Sequence, residues 1–155
     1  SPLDTIFYKE HVIMWAKDLG RSIDYLETRK DIDTGKIAYL GVSWGGALGA
    51  IMPAIEPRIK TSVLVIMGLF PYQALPEVEQ IHYLPRIKIP VLMLGGKYDN
   101  SFPYETSQLP FYQLLGTPEE NKKLISSERG HNVSQTELVR ETLAWLDRYL
   151  GPVAK

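Results

Sequence analysis

The sequence has 155 residues, of which 45% are hydrophobic and 23% are charged, a balance typical of one globular domain with a buried core. The formal net charge of -1 gives no electrostatic reason to expect nucleic acid or an anionic membrane as a partner. The chain contains no cysteine, which excludes disulfides and thiolate zinc sites. No apolar run approaches the roughly 20 residues that span a bilayer, and the sequence shows no signal-peptide pattern, so its compartment is left unknown.

The first part of the chain predicts a leader, a helix and a strand. Residues 1–9 are interpreted as the leader. Apolar side chains then recur every three or four positions, which predicts an amphipathic helix over about residues 11–27. A turn at residues 31–35 leads into a short apolar run, residues 36–40, which is interpreted as a strand.

The next segment, GVSWGG, has the G-x-S-x-G pattern between this strand and a run of small, helix-compatible residues. In that context the pattern indicates a nucleophile elbow, a tight strand-to-helix turn with strained backbone angles at its serine, Ser43. Gly41 and Gly45 are expected to be glycine because a side chain there would collide with the turn. The elbow lifts the Ser43 hydroxyl out of the sheet and points the N–H of Trp44 at a developing oxyanion. The alternative interpretation is a glycine-rich turn with an ordinary serine.

The remaining elements alternate along the chain. Strands are predicted at residues 61–67, 90–94 and 122–126, and helices after Ser43, at about residues 104–115 and from a capping box at Ser134 and Glu137 to Leu150. Alternating strands and helices with short links predict an α/β fold, with a parallel sheet of about four strands and flanking helices. Residues 69–88 form an irregular connector within it.

Two polar residues follow predicted strands in the order that a nucleophile elbow requires, acid first and then histidine. Asp99 comes just past the strand at residues 90–94, and His131 comes just past the last strand, after Gly130. A serine hydroxyl needs a base to take its proton, and a carboxylate fixes the tautomer of that imidazole. Asp99 is therefore a candidate acid and His131 a candidate base, although the sequence around Asp99 is also good turn composition.

Other residues compete for these two roles. Glu105 and Glu128 are the rival acids, but the first falls in the following helix and the second on the loop of His131 itself. The remaining histidines, His11 and His82, lie on a helix and in the connector and are interpreted as surface or packing residues. This leaves His131 as the base.

The substrate is expected to bind at the carboxyl ends of the strands, as in other open α/β sheets. The residues predicted to line this site are apolar or aromatic: Trp44, Leu69, Phe70, Tyr72 and Phe102. The alternative for these aromatic residues is core or rim packing. No arginine-rich loop would select a carboxylate, so the predicted substrate is a small uncharged ester. Neither a metal cluster nor a phosphate-cradling loop occurs in the sequence, so no metal and no cofactor are expected.

Three segments together resemble the carboxy-terminal half of α/β-hydrolases: GVSWGG, IPVLMLGGKYDNSFP and GHNVSQTELVRETLAWLDRYL. Over about residues 11–150 the chain looks most like dienelactone-hydrolase-like esterases and acyl-peptidase catalytic domains. The resemblance implies Ser43 as nucleophile, Asp99 as acid, His131 as base and the backbone of Trp44 as an oxyanion donor. Dienelactone hydrolases proper carry cysteine as the nucleophile, and the serine here favours an esterase.

The chain departs from this family by lacking the strands that normally precede the elbow and the loop that gives the second oxyanion donor. Residues 1–155 are therefore interpreted as a single catalytic domain with a truncated α/β-hydrolase fold, taken from a longer polypeptide or else a processed or minimal version. Residues 10–155 match the half of the fold that begins near the elbow strand. Without its usual neighbour, the elbow strand has an open apolar edge. We expect residues 1–9 to fold over this edge, or a second molecule to pair there as a homo-oligomer.

The predicted function is a serine carboxylester hydrolase that cleaves short-to-medium acyl esters through an acyl-enzyme. A thioesterase or a peptidase would use the same three residues. The alternative from another class is a non-catalytic module of a larger protein, folded like a hydrolase but inactive for want of a full oxyanion hole.

Overall fold

The computed structural model describes residues 2–152. Four parallel strands form one sheet in the order β1-β2-β3-β4: β1 is Ala38–Val42, β2 is Thr61–Val65, β3 is Val91–Gly96 and β4 is Lys122–Ser127. The predicted α/β fold with a parallel sheet of about four strands is therefore confirmed. Because all four strands run the same way, their carboxyl ends meet at one edge of the sheet.

Within the described residues, five α-helices flank the sheet: α1 is Ile6–Glu27, α2 is Trp44–Leu48, α3 is Met52–Ile55, α4 is Leu109–Leu114 and α5 is Gln135–Leu150. A single π-helical turn, Tyr104–Gln108, precedes α4. The α1 helix begins before the predicted residue 11, because the Thr5 side chain accepts a hydrogen bond from the N–H of Tyr8 at 3.1 Å and caps it. No helix within residues 2–152 combines the length and the apolar character needed to cross a bilayer.

The two central strands carry the core. Every residue of β2 and β3 is buried, which explains the apolar runs at residues 63–65 and 91–94 in the sequence. One cluster of buried side chains lies on the face covered by α1, α2 and the connector. The other lies on the face covered by α5, where the Trp145 indole N–H donates to Thr61 Oγ1 at 2.8 Å.

The prediction that the leader, residues 1–9, folds over the open edge of the sheet at β1 is wrong. Residues 6–9 belong to α1, which packs against α3 and the turn Pro76–Val78. Among residues 2–152, β1 pairs with β2 alone, and Leu40 and Val42 on β1 are 56% and 49% exposed. Ser1 lies outside the described residues. Pairing of this edge with a second molecule stays a prediction.

A charged cluster centred on Arg58 joins α1 to the segment between α3 and β2. The guanidinium lies 2.7 Å from the carboxylate of Asp24 and 3.0 Å from that of Glu27 on α1, and 2.7 Å from the carboxylate of Glu56. Glu56 is buried, with 8% of its surface exposed. The hydrogen bonds from Arg58 hold the pKa of Glu56 below its ordinary value of 4.5, so this buried carboxylate stays ionised.

We predict that Arg58→Met lowers the melting temperature at neutral pH, because it leaves the Glu56 carboxylate buried without its partner. The folded-state pKa of Glu56 is depressed, so its contribution to stability is present above pH 4.5 and is lost as the pH falls further. The difference in Tm between the unmodified protein and Arg58→Met should therefore shrink as the pH falls below 4.5. Thermal unfolding followed by circular dichroism at several pH values measures it.

The matched control is Arg21→Met, which removes an arginine that also contacts Asp24, at 3.1 Å, but whose side chain is 83% exposed. It should leave the Tm almost unchanged. Equal losses in the two variants would contradict the role assigned to Arg58.

Candidate active site

Ser43 occupies a strained turn between β1 and α2. Its backbone angles are φ 53° and ψ −112°, a conformation that non-glycine residues rarely adopt. Two hydrogen bonds of 2.8 Å hold the turn, one from the N–H of Ser43 to the carbonyl of Val65 on β2 and one from the N–H of Ala47 to the carbonyl of Ser43. Trp44 is the first residue of α2, so its N–H lies outside the hydrogen-bond ladder of that helix and is available to a ligand.

The glycines around Ser43 contribute unequally. A Cβ on Gly41 would lie 2.5 Å from the carbonyl carbon of Gly45, and a Cβ on Gly46 would lie 2.7 Å from the Cβ of Met67. A Cβ on Gly45 would meet nothing within 4 Å outside its own helix. The predicted collision therefore applies to Gly41 and is wrong for Gly45, because the Cα of Gly45 faces open space.

A half-buried tyrosine stabilises the same turn. The Tyr39 hydroxyl donates a 2.6 Å hydrogen bond to the carbonyl of Gly45, in the first turn of α2. Burial raises the pKa of Tyr39 to about 12, so the phenol keeps the proton that it donates. Tyr39 thus ties the helix that follows Ser43 back to the strand that precedes it.

The sheet brings Ser43, His131 and Asp99 together. Asp99 lies three residues past the end of β3, and His131 lies four residues past the end of β4. The Ser43 Oγ is 2.8 Å from the His131 Nε2, and the His131 Nδ1 is 2.7 Å from the Asp99 Oδ2. An ionised carboxylate only accepts hydrogen bonds, so it selects the tautomer with the proton on Nδ1 and leaves Nε2 to accept the Ser43 proton.

Asp99 is both a turn residue and the partner of the imidazole. Its Oδ1 accepts the backbone N–H groups of Ser101 at 2.8 Å and Phe102 at 3.1 Å, while its Oδ2 faces His131. The Asp99 side chain is fully buried, and 35% of the His131 side chain is exposed. The two interpretations of Asp99 in the sequence are thus compatible, because one oxygen serves the turn and the other serves the imidazole.

The rival residues make other contacts. Glu128 is 77% exposed and lies 3.9 Å from the ammonium of Lys97, and Glu105 stands in the π-helical turn. His11 Nδ1 lies 2.8 Å from the carbonyl of Phe7, and His82 Nδ1 lies 3.0 Å from that of Pro76.

The predicted lining residues form a row of rings beside the serine. The ring centroids of Trp44 and Phe70 are 4.8 Å apart, those of Phe70 and Phe102 5.9 Å, and those of Phe102 and His131 6.0 Å. Trp44 and Tyr72 are 45% and 57% exposed, so both present surface to a ligand. Phe102 is only 5% exposed, which suits it to support the imidazole of His131 rather than to contact a ligand.

A cavity of about 420 Å³ opens on the Phe70 side of this row. Its lining consists of uncharged residues: Leu69, Phe70, Pro71, Asn100, Ser101, Pro103, Thr106 and Ser107. The predicted contacts Leu69 and Phe70 therefore border an open, uncharged space next to the loop of Asp99.

Two buried glutamines that the sequence pattern did not reveal hold the loops of the site. The Gln80 side-chain amide donates to the carbonyl of Ala47 at 2.8 Å and accepts the N–H of Phe70 at 2.8 Å. The Gln108 amide donates to the carbonyls of Gly96 at 2.8 Å and Phe102 at 2.7 Å, on either side of Asp99. Their partners are backbone atoms six to 33 residues away, and the bonds depend on how the segments pack, so no local pattern identifies these glutamines.

A further contact missed in the sequence comes from α1. The ring centroids of Tyr8 and Trp44 are 6.2 Å apart and their planes are nearly perpendicular. The first turn of α1 therefore reaches the residue that follows Ser43.

The parallel sheet, the strained serine turn and the loop positions of Asp99 and His131 define an α/β-hydrolase fold. The chain belongs to the PET hydrolase-like family, whose sequence profile matches residues 15–153.

The relatives of the chain agree with this assignment. It is 24% identical over 144 residues to cutinase est2 of Thermobifida alba, an alignment that covers 87% of this chain and 45% of the cutinase. A cold-adapted esterase from an Arctic intertidal metagenomic library superposes with a TM-score of 0.73 at 24% identity, over 87% of this chain and 57% of that one. A putative dienelactone hydrolase of Klebsiella pneumoniae superposes with a TM-score of 0.73 at 21% identity, over 86% of this chain and 60% of that one. The chain thus spans about half the length of these proteins, and its resemblance to dienelactone-hydrolase-like esterases is confirmed.

We predict that Gly41→Ala destabilises the protein by about 1–3 kcal/mol, because the new methyl group overlaps the backbone at Gly45. Gly45→Ala is the matched control and should be neutral or stabilising by up to about 1 kcal/mol, since its methyl group enters open space within a helix. Urea unfolding measures both changes. A larger loss for Gly45→Ala would show that this description of the turn is wrong.

Proposed function

We propose that this chain is the catalytic domain of a serine carboxylester hydrolase that cleaves short-to-medium acyl esters through an acyl-enzyme. One observation carries the proposal: the two hydrogen bonds of 2.8 Å and 2.7 Å that link Ser43 Oγ to His131 and His131 to Asp99. Membership of the PET hydrolase-like family supports it, as do relatives named cutinase and esterase.

In the first half of the reaction, Ser43 Oγ attacks the carbonyl carbon of the ester while His131 Nε2 takes the hydroxyl proton. The buried Asp99 carboxylate stabilises the imidazolium that forms. The carbonyl oxygen gains the negative charge and accepts a hydrogen bond from the N–H of Trp44. The tetrahedral intermediate then collapses, the alcohol leaves with the proton from Nε2, and the acyl group stays on Ser43.

The second half of the reaction repeats these steps with water in place of the serine hydroxyl. His131 Nε2 takes a proton from the water as its oxygen attacks the acyl carbon. The carboxylic acid leaves as the proton returns from Nε2 to Ser43 Oγ, which restores the free site.

The uncharged lining of the 420 Å³ cavity supports an uncharged substrate. No ammonium, guanidinium or carboxylate belongs to the eight residues that form it, so a charged group would lose its hydration there without gaining a partner. Small apolar esters meet no such penalty.

Thioesters and peptides are the second class of substrate, because the same three groups catalyse every acyl transfer. The named esterases among the relatives favour oxygen esters. The non-catalytic alternative has less support, since a binding module has no need of a serine, an imidazole and a buried carboxylate in hydrogen-bonded sequence. With the N–H of Trp44 as its one expected oxyanion donor, the domain should be a slow esterase, as each such donor is worth roughly 10²–10³ in rate.

We predict that Ser43→Ala lowers the turnover of p-nitrophenyl acetate by about 10⁴-fold or more while the fold is kept. The measurement is release of p-nitrophenol, with far-UV circular dichroism to check the fold. Ser22→Ala, on the exposed face of α1, is the matched control and should retain full activity. Undiminished hydrolysis by purified Ser43→Ala would rule out the proposed nucleophile.

We also predict that Asp99→Asn lowers kcat by about 10⁴-fold, because an amide at this position favours the wrong imidazole tautomer. Asparagine keeps an oxygen that can accept the N–H groups of Ser101 and Phe102, so the loop should fold. Glu128→Gln, the control on the exposed rival acid, should change kcat less than twofold, roughly the scale of a surface substitution. The opposite ranking of these variants would make Glu128 the acid.

A further inference from the structure

A second cavity, of about 250 Å³, lies on the α1 side of Trp44. Trp44 belongs to its lining and packs against Phe70, which lines the cavity of about 420 Å³, and Ser43 directly precedes Trp44 in the chain. The main lining residues are apolar or aromatic: Leu3, Phe7, Tyr8, His11, Trp15 and Trp44.

Three of these residues form an aromatic stripe along one face of α1. Phe7, His11 and Trp15 follow one another at intervals of four residues, which places them on successive turns of the helix. The ring centroids of Phe7 and His11 are 4.0 Å apart, and those of His11 and Trp15 are 5.8 Å apart. Phe7 is 71% exposed and Trp15 is 36% exposed, so the stripe presents apolar surface to an incoming molecule.

The wall of the cavity next to Trp44 is fixed in place. Tyr8 is buried with 5% exposure, and its ring packs edge-on against Trp44. An ion pair of 3.3 Å between Lys9 and Glu77 attaches the same turn of α1 to the connector. Burial, together with the nearby Glu79, raises the pKa of Tyr8 to about 12, so the phenol is neutral. The cavity is therefore a built apolar space with no carboxylate or ammonium in its lining.

The order of the rings decides which half of an ester this cavity can hold. The rings run Tyr8, Trp44, Phe70, Phe102, His131, so the cavity and the imidazole lie at opposite ends of the row. The leaving oxygen must reach Nε2 of His131 to take its proton. The alcohol half of the substrate therefore extends towards His131, and the acyl half extends past Trp44 towards α1.

We propose that the cavity between α1 and Trp44 is the acyl subsite of this enzyme. It takes an unbranched, uncharged acyl chain of about six to ten carbon atoms, since an apolar cavity of roughly 150 Å³ already holds benzene. This assignment rests on the proposed ester hydrolysis and names the half of the substrate that determines its selectivity.

The subsite predicts a preference for longer acyl chains. A fully buried methylene group strengthens binding by about fourfold. The kcat/KM for p-nitrophenyl hexanoate should therefore exceed that for p-nitrophenyl acetate by roughly 10- to 100-fold. Phe7→Gln removes an exposed wall of the subsite while keeping a good helix former. It should lower kcat/KM for the hexanoate about tenfold, and for the acetate less than twofold.

Two controls distinguish an acyl subsite from a general effect of substitutions on α1 and from an alcohol subsite. Tyr25→Gln replaces another aromatic residue of α1, 60% exposed and away from this cavity, and should leave both rates unchanged. Hexyl acetate carries the same chain on the alcohol side, so its hydrolysis should not respond to Phe7→Gln.

Each outcome has a distinct meaning. If Phe7→Gln leaves the ratio of kcat/KM for the hexanoate and the acetate unchanged, the proposed acyl subsite is wrong, but the proposed esterase function is not affected. A loss confined to hexyl acetate would make the cavity an alcohol site and overturn the acyl assignment. If the unmodified domain hydrolyses neither p-nitrophenyl ester, the proposed function itself fails, and the acyl assignment fails with it.

Discussion

The left-handed backbone of Ser43 is the constraint on which the site depends. That conformation turns the chain sharply at the end of β1, so that α2 begins at the next residue and the Trp44 N–H, as its first, has no acceptor within the helix. The turn persists because neighbours fix it: the carbonyl of Val65 holds the Ser43 N–H, and the Tyr39 hydroxyl holds the carbonyl of Gly45. A positive φ of 45° at Ile66 places a second strained residue directly after the adjacent strand. Strain is thus concentrated at the carboxyl edge of the sheet, where the functional groups converge.

In the proposed enzyme, Trp44 joins the chemistry of the site to its selectivity. Its backbone belongs to the turn that Ser43 opens, whereas its side chain lines the cavity beside α1 and packs against Phe70. A change of side chain at this position would reshape the cavity beside α1 and leave the backbone N–H in place. The buried amides of Gln80 and Gln108 add rigidity, because Gln80 ties the loop at Phe70 to α2 and Gln108 ties the loop at Phe102 to the end of β3.

Much of the fold could be predicted from the sequence because its signals are local. The central strands contain apolar runs at residues 63–65 and 91–94, and the serine turn has a five-residue pattern with a strand before it and a helix after it. Asp99 and His131 could be placed because the carboxyl ends of parallel strands meet at one edge of the sheet, so residues that follow different strands lie close together. Sequence order also identified the two residues that the sheet brings together: Asp99 hydrogen-bonds to His131, and His131 hydrogen-bonds to Ser43.

The features that were missed depend on distant partners. The start of α1 is set by the Thr5 cap rather than by apolar periodicity, and residues assigned to a leader turned out to be part of that helix. The open space at Gly45 and the contact between Tyr8 and Trp44 arise only when elements far apart in the chain pack together.

The position of β1 in the sheet has a consequence for how the molecule responds to heat. An interior strand such as β2 is held by two ladders of hydrogen bonds, whereas β1 is held by one within residues 2–152. β1, which leads into Ser43, can therefore open with less disruption of the core than β2 or β3, as can β4 at the other edge of the sheet. Fraying of that single ladder releases the Ser43 N–H from Val65 and relaxes its backbone while β2, β3 and the helices packed on them remain folded. Loss of the reactive geometry and loss of the fold are separate events in such a molecule, and the first can occur at a lower temperature than the second.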